Sequence, residues 1–361
     1  MEQKASDQAQ IAIFQAPASF AGQMNMAVRI LLLICFLIYL PLEASTQPYR
    51  NLVLEGGGIR GIAYAGAIEV LEENRLTDSI EQVAGTSVGA LAGCLIALGY
   101  DAGEMKSILM ELRLQTFNDG RWLFPGGINR FNKQYGWYRG ASLETWIGKF
   151  IARKTGSEHT SFAQLHKLRQ ADIRYKELYI TATNLSSQKL TVFSYETYPD
   201  MEIKTAVRAS VSIPLYYGAV FLDKAGRRMD QPLDGVAYDV FVDGGIIANY
   251  PLGLFDSIGP NKATLGLKLE RRAQIEQGDS RNIAPYPIRH LGDYVGALYN
   301  ITMETLNRGC SFDAEKGRTI YISTSDINPR VRRISKAQKE KLMDNGREGA
   351  VRFLERSQQA R

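Results

Sequence analysis

The chain has 361 residues, 45% hydrophobic and 22% charged, a balance that supports a sizeable core and excludes a disordered or low-complexity polymer. Its formal net charge is +5, yet residues 330–361 alone hold ten Lys and Arg against four Asp and Glu, a surplus of +6 that leaves −1 for the rest. The basic balance is therefore a property of the tail and gives no support to nucleic-acid binding, and the three cysteines have neither metal-ligand spacing nor a disulfide framework.

Residues 1–25 show no periodicity and form an uncertain leader. From Met26 the text changes: Arg29 stands alone, Ile30 to Leu42 carries no charge, and Glu43-Ala44-Ser45 follows. A cation, a short apolar core and a small-residue site describe a secretory signal peptide over 26–45, which predicts export to a periplasmic, secreted or membrane-associated place. The core is shorter than the roughly 20 residues of a membrane span. A packed helix or an uncleaved anchor remain the alternatives. Met24 and Met26 are alternative starts that would give the leader an n-region of ordinary length.

The stretch from Asn51 to Gly93 organises the rest. Asn51-Leu-Val-Leu-Glu55 reads as a buried strand entering the glycine cluster Gly56-Gly57-Gly58-Ile59-Arg60-Gly61. Ala63, Ala67, Val70 and Leu71 then share one helical face. A second strand runs into Gly85-Thr86-Ser87-Val88-Gly89, the spacing of a nucleophile elbow, where a serine stands on a sharp strand-to-helix corner. Two strand-turn-helix units in succession predict a parallel sheet in an α/β fold. Gly56, Gly58 and Gly61 also match a dinucleotide fingerprint, but that reading needs an acidic residue closing the second strand, and Glu81 lies before it. Glycine-rich amides at one helix start and a serine at the next suit a nucleophile with an oxyanion hole.

From Asp119 to Trp146 the chain turns aromatic and glycine-rich and is expected to be loop-rich, with Arg121, Arg130, Lys133 and Arg139 interleaved. Its rings either cover the core or form a lipid-facing rim. Residues 178–194 read as paired strands, 203–209 as a helix, and 240–243 as a short strand ending in Asp243-Gly244-Gly245. A further strand is expected over 264–269. Residues 271–361 read as a helical extension with a basic tail, whose Met343, Ala350, Val351 and Leu354 form an apolar stripe.

Serine needs a partner to take its proton. The chain offers His159, His166 and His290, none in a recognisable motif. Only His290 follows Asp243, which would give the order of an α/β-hydrolase triad.

Three ordered motifs carry a more specific likeness: Gly56 to Gly61, Gly85 to Gly89, and Asp243-Gly244-Gly245. Arg208-Ala-Ser-Val-Ser-Ile-Pro214 and Asn249-Tyr-Pro251 add to them. In these the chain resembles the patatin-like phospholipases over residues 49–270. The resemblance implies a three-layer α/β/α fold with a mostly parallel central sheet. It also implies a Ser-Asp dyad, with Ser87 as nucleophile and Asp243 as proton acceptor. Gly56, Gly57, Gly58, Ile59, Arg60 and Gly61 would form the oxyanion loop, with Gly85, Gly89, Gly244 and Gly245 shaping the turns. Such chemistry needs no metal or organic cofactor. The expected substrate is a phospholipid or other acyl lipid at a membrane or micelle surface. A carboxylesterase acting on small esters and a non-catalytic lipid-binding protein are the alternatives.

Overall fold

The computed structural model describes residues 49–120, 125–230, 235–278, 282–289, 293–294, 297–298, 300–301, 315, 317–325, 327 and 334–359. The leader expected over 26–45, His290 and Cys310 lie outside them.

Strand β1 (Asn51–Leu54) enters the glycine turn, and a 3-10 turn over Gly58–Ile62 runs into α1 (Ala63–Glu73). Strand β2 (Gln82–Thr86) and α2 (Val88–Ala97) are separated by Ser87 alone. Then come α3 (Ala102–Glu111), α4 (Pro125–Gln134), the short β3 (Gly136–Tyr138), α5 (Ala141–Thr155) and α6 (Phe162–Ala171). Strands β4 (Glu177–Asn184) and β5 (Lys189–Phe193) form a hairpin, and α7 (Ile203–Ser210) follows. Next are β6 (Leu215–Tyr217), β7 (Val220–Asp223), β8 (Arg228–Met229) and β9 (Tyr238–Asp243). The chain continues through α8 (Gly245–Ala248), β10 (Thr264–Glu270), α9 (Arg272–Gln277), β11 (Thr319–Ser323) and α10 (Lys336–Gln359).

The sheet order is β11-β10-β1-β2-β4-β9-β7-β8, with β5 on β4. All pairs from β11 to β4 are parallel, while β9, β7 and β8 join through antiparallel pairs. The sheet is thus mixed and mostly parallel in its centre. Strand side chains alternate between two apolar layers, as the two-residue repeat of a doubly covered sheet requires. Leu52, Leu54, Val83, Leu178 and Ile180 face a large core shared with α1, α2 and α10. Val53, Ala84 and Tyr179 face a smaller one with Tyr250 and Leu252. Helix α2 is apolar all round because every one of its residues is buried.

Two expectations change. The stretch 119–146, expected as loop, is largely α4, β3 and α5, since Pro125 suits a first helical turn, where no N–H is needed. Its rings divide: Trp146 packs between Phe117 and Phe150, whereas Phe131 and Tyr135 are exposed. In the C-terminal part, β11 pairs with β10 in the central sheet and α10 crosses α1, so these two elements belong to the core rather than to an appended extension. The buried side of α10 is Leu342, Met343, Gly346, Gly349, Ala350 and Phe353, and Val351 faces solvent. The crossing is as close as two backbones allow. A Cβ on Gly66 would sit 2.0 Å from the Met343 carbonyl oxygen, and one on Gly346 2.0 Å from that of Ala63.

Candidate active site

Ser87 occupies the corner between β2 and α2 with φ 55° and ψ −122°, a region that L side chains rarely adopt. The corner is tight enough that a Cβ on Gly85 would lie 2.3 Å from the Gly89 carbonyl oxygen, and one on Gly89 2.3 Å from that of Leu54. Only glycine fits either position. The Ser87 N–H donates to Ser210 Oγ at 2.8 Å, which ties the elbow to the end of α7.

Asp243 reaches Ser87 across an intervening strand. β4 lies between β2 and β9 and outruns β2 by three residues at its carboxyl end, by the pairing of Thr86 with Thr181. β9 runs antiparallel to this overhang, with Ala182 opposite Asp243. Asp243 therefore comes level with the residue after Thr86, which is Ser87. The Ser87 hydroxyl donates to Asp243 Oδ2 at 2.7 Å, and the pair is buried. Asp243 Oδ1 accepts from the Gly245 N–H at 2.8 Å. The Asp243 backbone is pinned as well: its N–H donates to Ser212 O at 2.9 Å, and its carbonyl accepts from Thr183 Oγ1 at 2.9 Å. Gly244 is buried beside the Thr181 backbone. Burial pushes the Asp243 carboxyl up to about 6, against the Gly245 and Ser87 hydrogen bonds, which favour its ionised form.

The glycine loop lies on the other side of Ser87. Of its six residues, Gly56 and Arg60 have committed amides: the Gly56 N–H donates to Asn249 O at 2.9 Å and the Arg60 N–H to Gly57 O at 3.3 Å. Neither is free for an oxyanion, which narrows the expected set. Gly61 is buried against Val88 and serves packing. Gly57, Gly58 and Ile59 come before the first donor of the 3-10 turn, so their N–H groups have no partner within that turn. Arg60 Nε also donates to Gly57 O at 3.1 Å. Because a peptide's C=O and N–H point opposite ways, holding the Gly57 carbonyl turns the Gly58 N–H away from Arg60. Arg60 thus acts on the loop's own peptide.

Further braces were not legible as such. Asn249 Nδ2 donates to Glu55 Oε1 at 3.1 Å and to Gly56 O at 3.2 Å, and Glu55 Oε2 accepts from the Leu269 N–H at 2.6 Å. This buried carboxylate locks the end of β1 to β10. Arg208 is fully buried, and its guanidinium donates to the carbonyls of Gly140, Arg139 and Gly218 and to Ser212 Oγ. It holds the segment whose Ser210 and Ser212 touch Ser87 and Asp243. His159 pairs with Glu202 at 2.9 Å and His166 with Glu177 at 2.6 Å, so neither bonds the serine. Among the described residues no cluster of His, Cys, Asp and Glu has the makings of a metal site.

Comparison with known proteins agrees with this architecture. The family model described as patatin-like phospholipase matches residues 52–256. An uncharacterised protein of Acanthamoeba polyphaga mimivirus is 27% identical over 309 residues, covering 85% of this chain and 94% of the relative. A probable lipid hydrolase of Invertebrate iridescent virus 6 is 27% identical over 224 residues, covering 59% of this chain and 66% of the relative. In fold, the chain is similar to VipD from Legionella pneumophila, with a TM-score of 0.61 at 16% identity over 85% of this chain and 67% of that one. With its glycine loop, serine elbow and Asp-Gly-Gly turn all inside the matched span, the chain belongs to the patatin-like phospholipase family.

Proposed function

We propose that the protein is a serine acyl hydrolase that cleaves carboxylic ester bonds of phospholipids or other acyl lipids through a Ser87–Asp243 dyad. The observation that carries this reading is the 2.7 Å hydrogen bond from the Ser87 hydroxyl to a buried carboxylate. As the hydroxyl oxygen attacks the ester carbonyl, its proton passes to Asp243 Oδ2, and the carbonyl oxygen becomes an oxyanion. The N–H groups of Gly57, Gly58 and Ile59 stabilise that charge, helped by the amino end of α2, which starts at the next residue. Collapse of the tetrahedral intermediate expels the alcohol, which takes the proton from Asp243. Water then attacks the acyl-Ser87 ester and gives its proton to Asp243, and collapse of this second tetrahedral intermediate releases the fatty acid as the departing Ser87 oxygen takes that proton back.

A carboxyl of ordinary acidity would be a feeble base, and desolvation is what raises its proton affinity toward that task. The test is fluorophosphonate labelling with phospholipid hydrolysis followed in parallel. Ser87→Ala and Asp243→Asn are expected to lose both, and His290→Ala to keep both. Loss in His290→Ala with the fold intact would replace the dyad with a triad. Turnover of a soluble short-chain ester without any gain on micelles would assign a general esterase instead.

A further inference from the structure

Helix α4 is built inside out. Its inward residues are Gly127, against the Trp137 ring, and Arg130, whose Nε donates to Trp137 O at 3.1 Å. Gln134 continues that face and donates to Asp230 O at 3.3 Å. Its outward apolar residues are Ile128 and Phe131, 54% and 39% exposed, and Tyr135, just beyond the helix end, is 47% exposed with its ring 5.8 Å from that of Phe221. A surface helix ordinarily does the reverse, with its apolar stripe turned to the core. Leu215 extends the apolar face, being 60% exposed and paired with Gly136 beside Tyr135. Tyr135 and Leu215 also sit at φ 57° and 66°, a costly region for bulky residues. Leu215 is thus held largely in water at a strained backbone position, whereas Tyr135, at the other, also packs its ring on Phe221.

The exposed cations at this face are Lys133 and Arg139. The neighbouring acids are Asp230, whose carbonyl Gln134 holds, and Asp119, whose carboxylate accepts from the Gly140 and Ser142 N–H groups. Between Asp119 and Glu144 the sequence has no acidic residue. Lys133 and Arg139 are exposed and have no acidic partner among the described residues. Exposed apolar side chains beside cations fit the boundary between headgroups and acyl chains of an anionic bilayer. Leu215 stands three residues beyond Ser212, whose carbonyl accepts from the Asp243 N–H, so the chain links the face directly to the site.

We infer that α4 and Leu215 form the surface on which the protein seats itself on an anionic lipid bilayer, next to the Ser87 site. The inference rests on the acyl-hydrolase reading for what the seated site does, but the seating itself is read without turnover. The Trp137 ring lies against Gly127 of α4, so intrinsic fluorescence is a native probe of this face. The full chain carrying Ser87→Ala is mixed with vesicles of phosphatidylcholine, or of phosphatidylcholine with phosphatidylglycerol, made with brominated acyl chains. Sedimentation reports binding, and bromine quenching of tryptophan reports which face is seated.

The expected result is sedimentation with quenching, stronger on the anionic vesicles. Ile128→Asn with Phe131→Asn should abolish the quenching with the thermal midpoint unchanged, and Ile258→Asn, an exposed apolar position elsewhere, should not. Lys133→Ala and Arg139→Ala should each weaken anionic-vesicle binding about fivefold. Sedimentation without quenching would place the lipid contact elsewhere and overturn the inference. So would a protein that stays in the supernatant with both vesicle types, which would leave the face to a protein partner. Hydrolysis of a soluble ester by the Ser87 enzyme is measured separately, so failure of the hydrolase reading shows as no turnover despite seating.

Discussion

At the scale of single residues, Asp243 carries the clearest conflict between stability and chemistry. Its carboxyl rises from 3.8 to about 6 on burial, so the folded protein holds the proton more tightly than the unfolded chain does. The sign follows: ionising Asp243 destabilises the native state, a cost absent below pH 3.8, growing between pH 4 and 6, and complete above that. Its size is on the order of 3 kcal/mol. Asp243→Asn should therefore raise the unfolding free energy at pH 7 while abolishing turnover, and the gain should shrink toward zero at pH 4. Denaturant unfolding at both pH values checks this, and a variant less stable than wild type at pH 7 would refute it. Activity obeys the opposite sign, because only the ionised carboxylate accepts a proton. kcat/KM should fall about tenfold per pH unit below about 6. Ser87 adds backbone strain of about 1–3 kcal/mol, so Ser87→Gly should melt higher than Ser87→Ala. The hydrogen-bonded pair Ser87 and Asp243 was legible because each residue stands in a glycine turn that announces a corner. Ser210 and Asn249 were legible only as matching letters, since their partners lie 123 residues away for Ser210 and 194 for the Asn249–Glu55 bond.

At the scale of elements, the sheet brings distant turns to one place, and its strand lengths decide how. The motif order predicted strand ends near one another, but not that β4 would stand between β2 and β9. Only the overhang of β4 lets an antiparallel strand deliver Asp243 at the level of Ser87. Helix α10 shows a different blind spot. Hydrophobic periodicity counts side chains, and the contact that orients this helix is made by two glycines without any. Val351 was placed in the buried stripe for that reason, although Gly346 turns the helix so that Val351 faces water. Gly346→Ala pushes a methyl group against the Ala63 carbonyl, which is backbone and cannot swing aside. It should cost about 1–3 kcal/mol or more by overpacking, despite the better helix propensity of alanine. Val351→Ala should stay within about 0.5 kcal/mol. Equal thermal midpoints for the two variants would show that the crossing relaxes freely.

At the scale of the whole molecule, the question is whether the last quarter of the chain is an appendage or part of the core. The sequence reading drew a boundary at residue 270 because the motifs stop there and the charge rises beyond it. Of that charge, the structure puts Lys339 and Arg347 to structural use. Arg347 pairs with Glu69 and Glu73 on α1, and Lys339 Nζ donates to Leu112 O at 2.7 Å, capping the carbonyl end of α3. The same helix buries Leu342, Met343, Ala350 and Phe353 over α1, the helix that follows the glycine loop. Burying each of the three large side chains contributes about 1.5–3 kcal/mol. Their sum, about 5–9 kcal/mol, matches the entire net stability of many domains. A chain ending at residue 335 should therefore lose cooperative unfolding and labelling at Ser87 together, as followed by circular dichroism and fluorophosphonate reaction. Cooperative melting of that truncated chain with Ser87 still reactive would make α10 an accessory and restore the boundary at 270. Loss of labelling alone, with melting intact, would locate the effect of α10 in the placement of α1 and its loop rather than in the core.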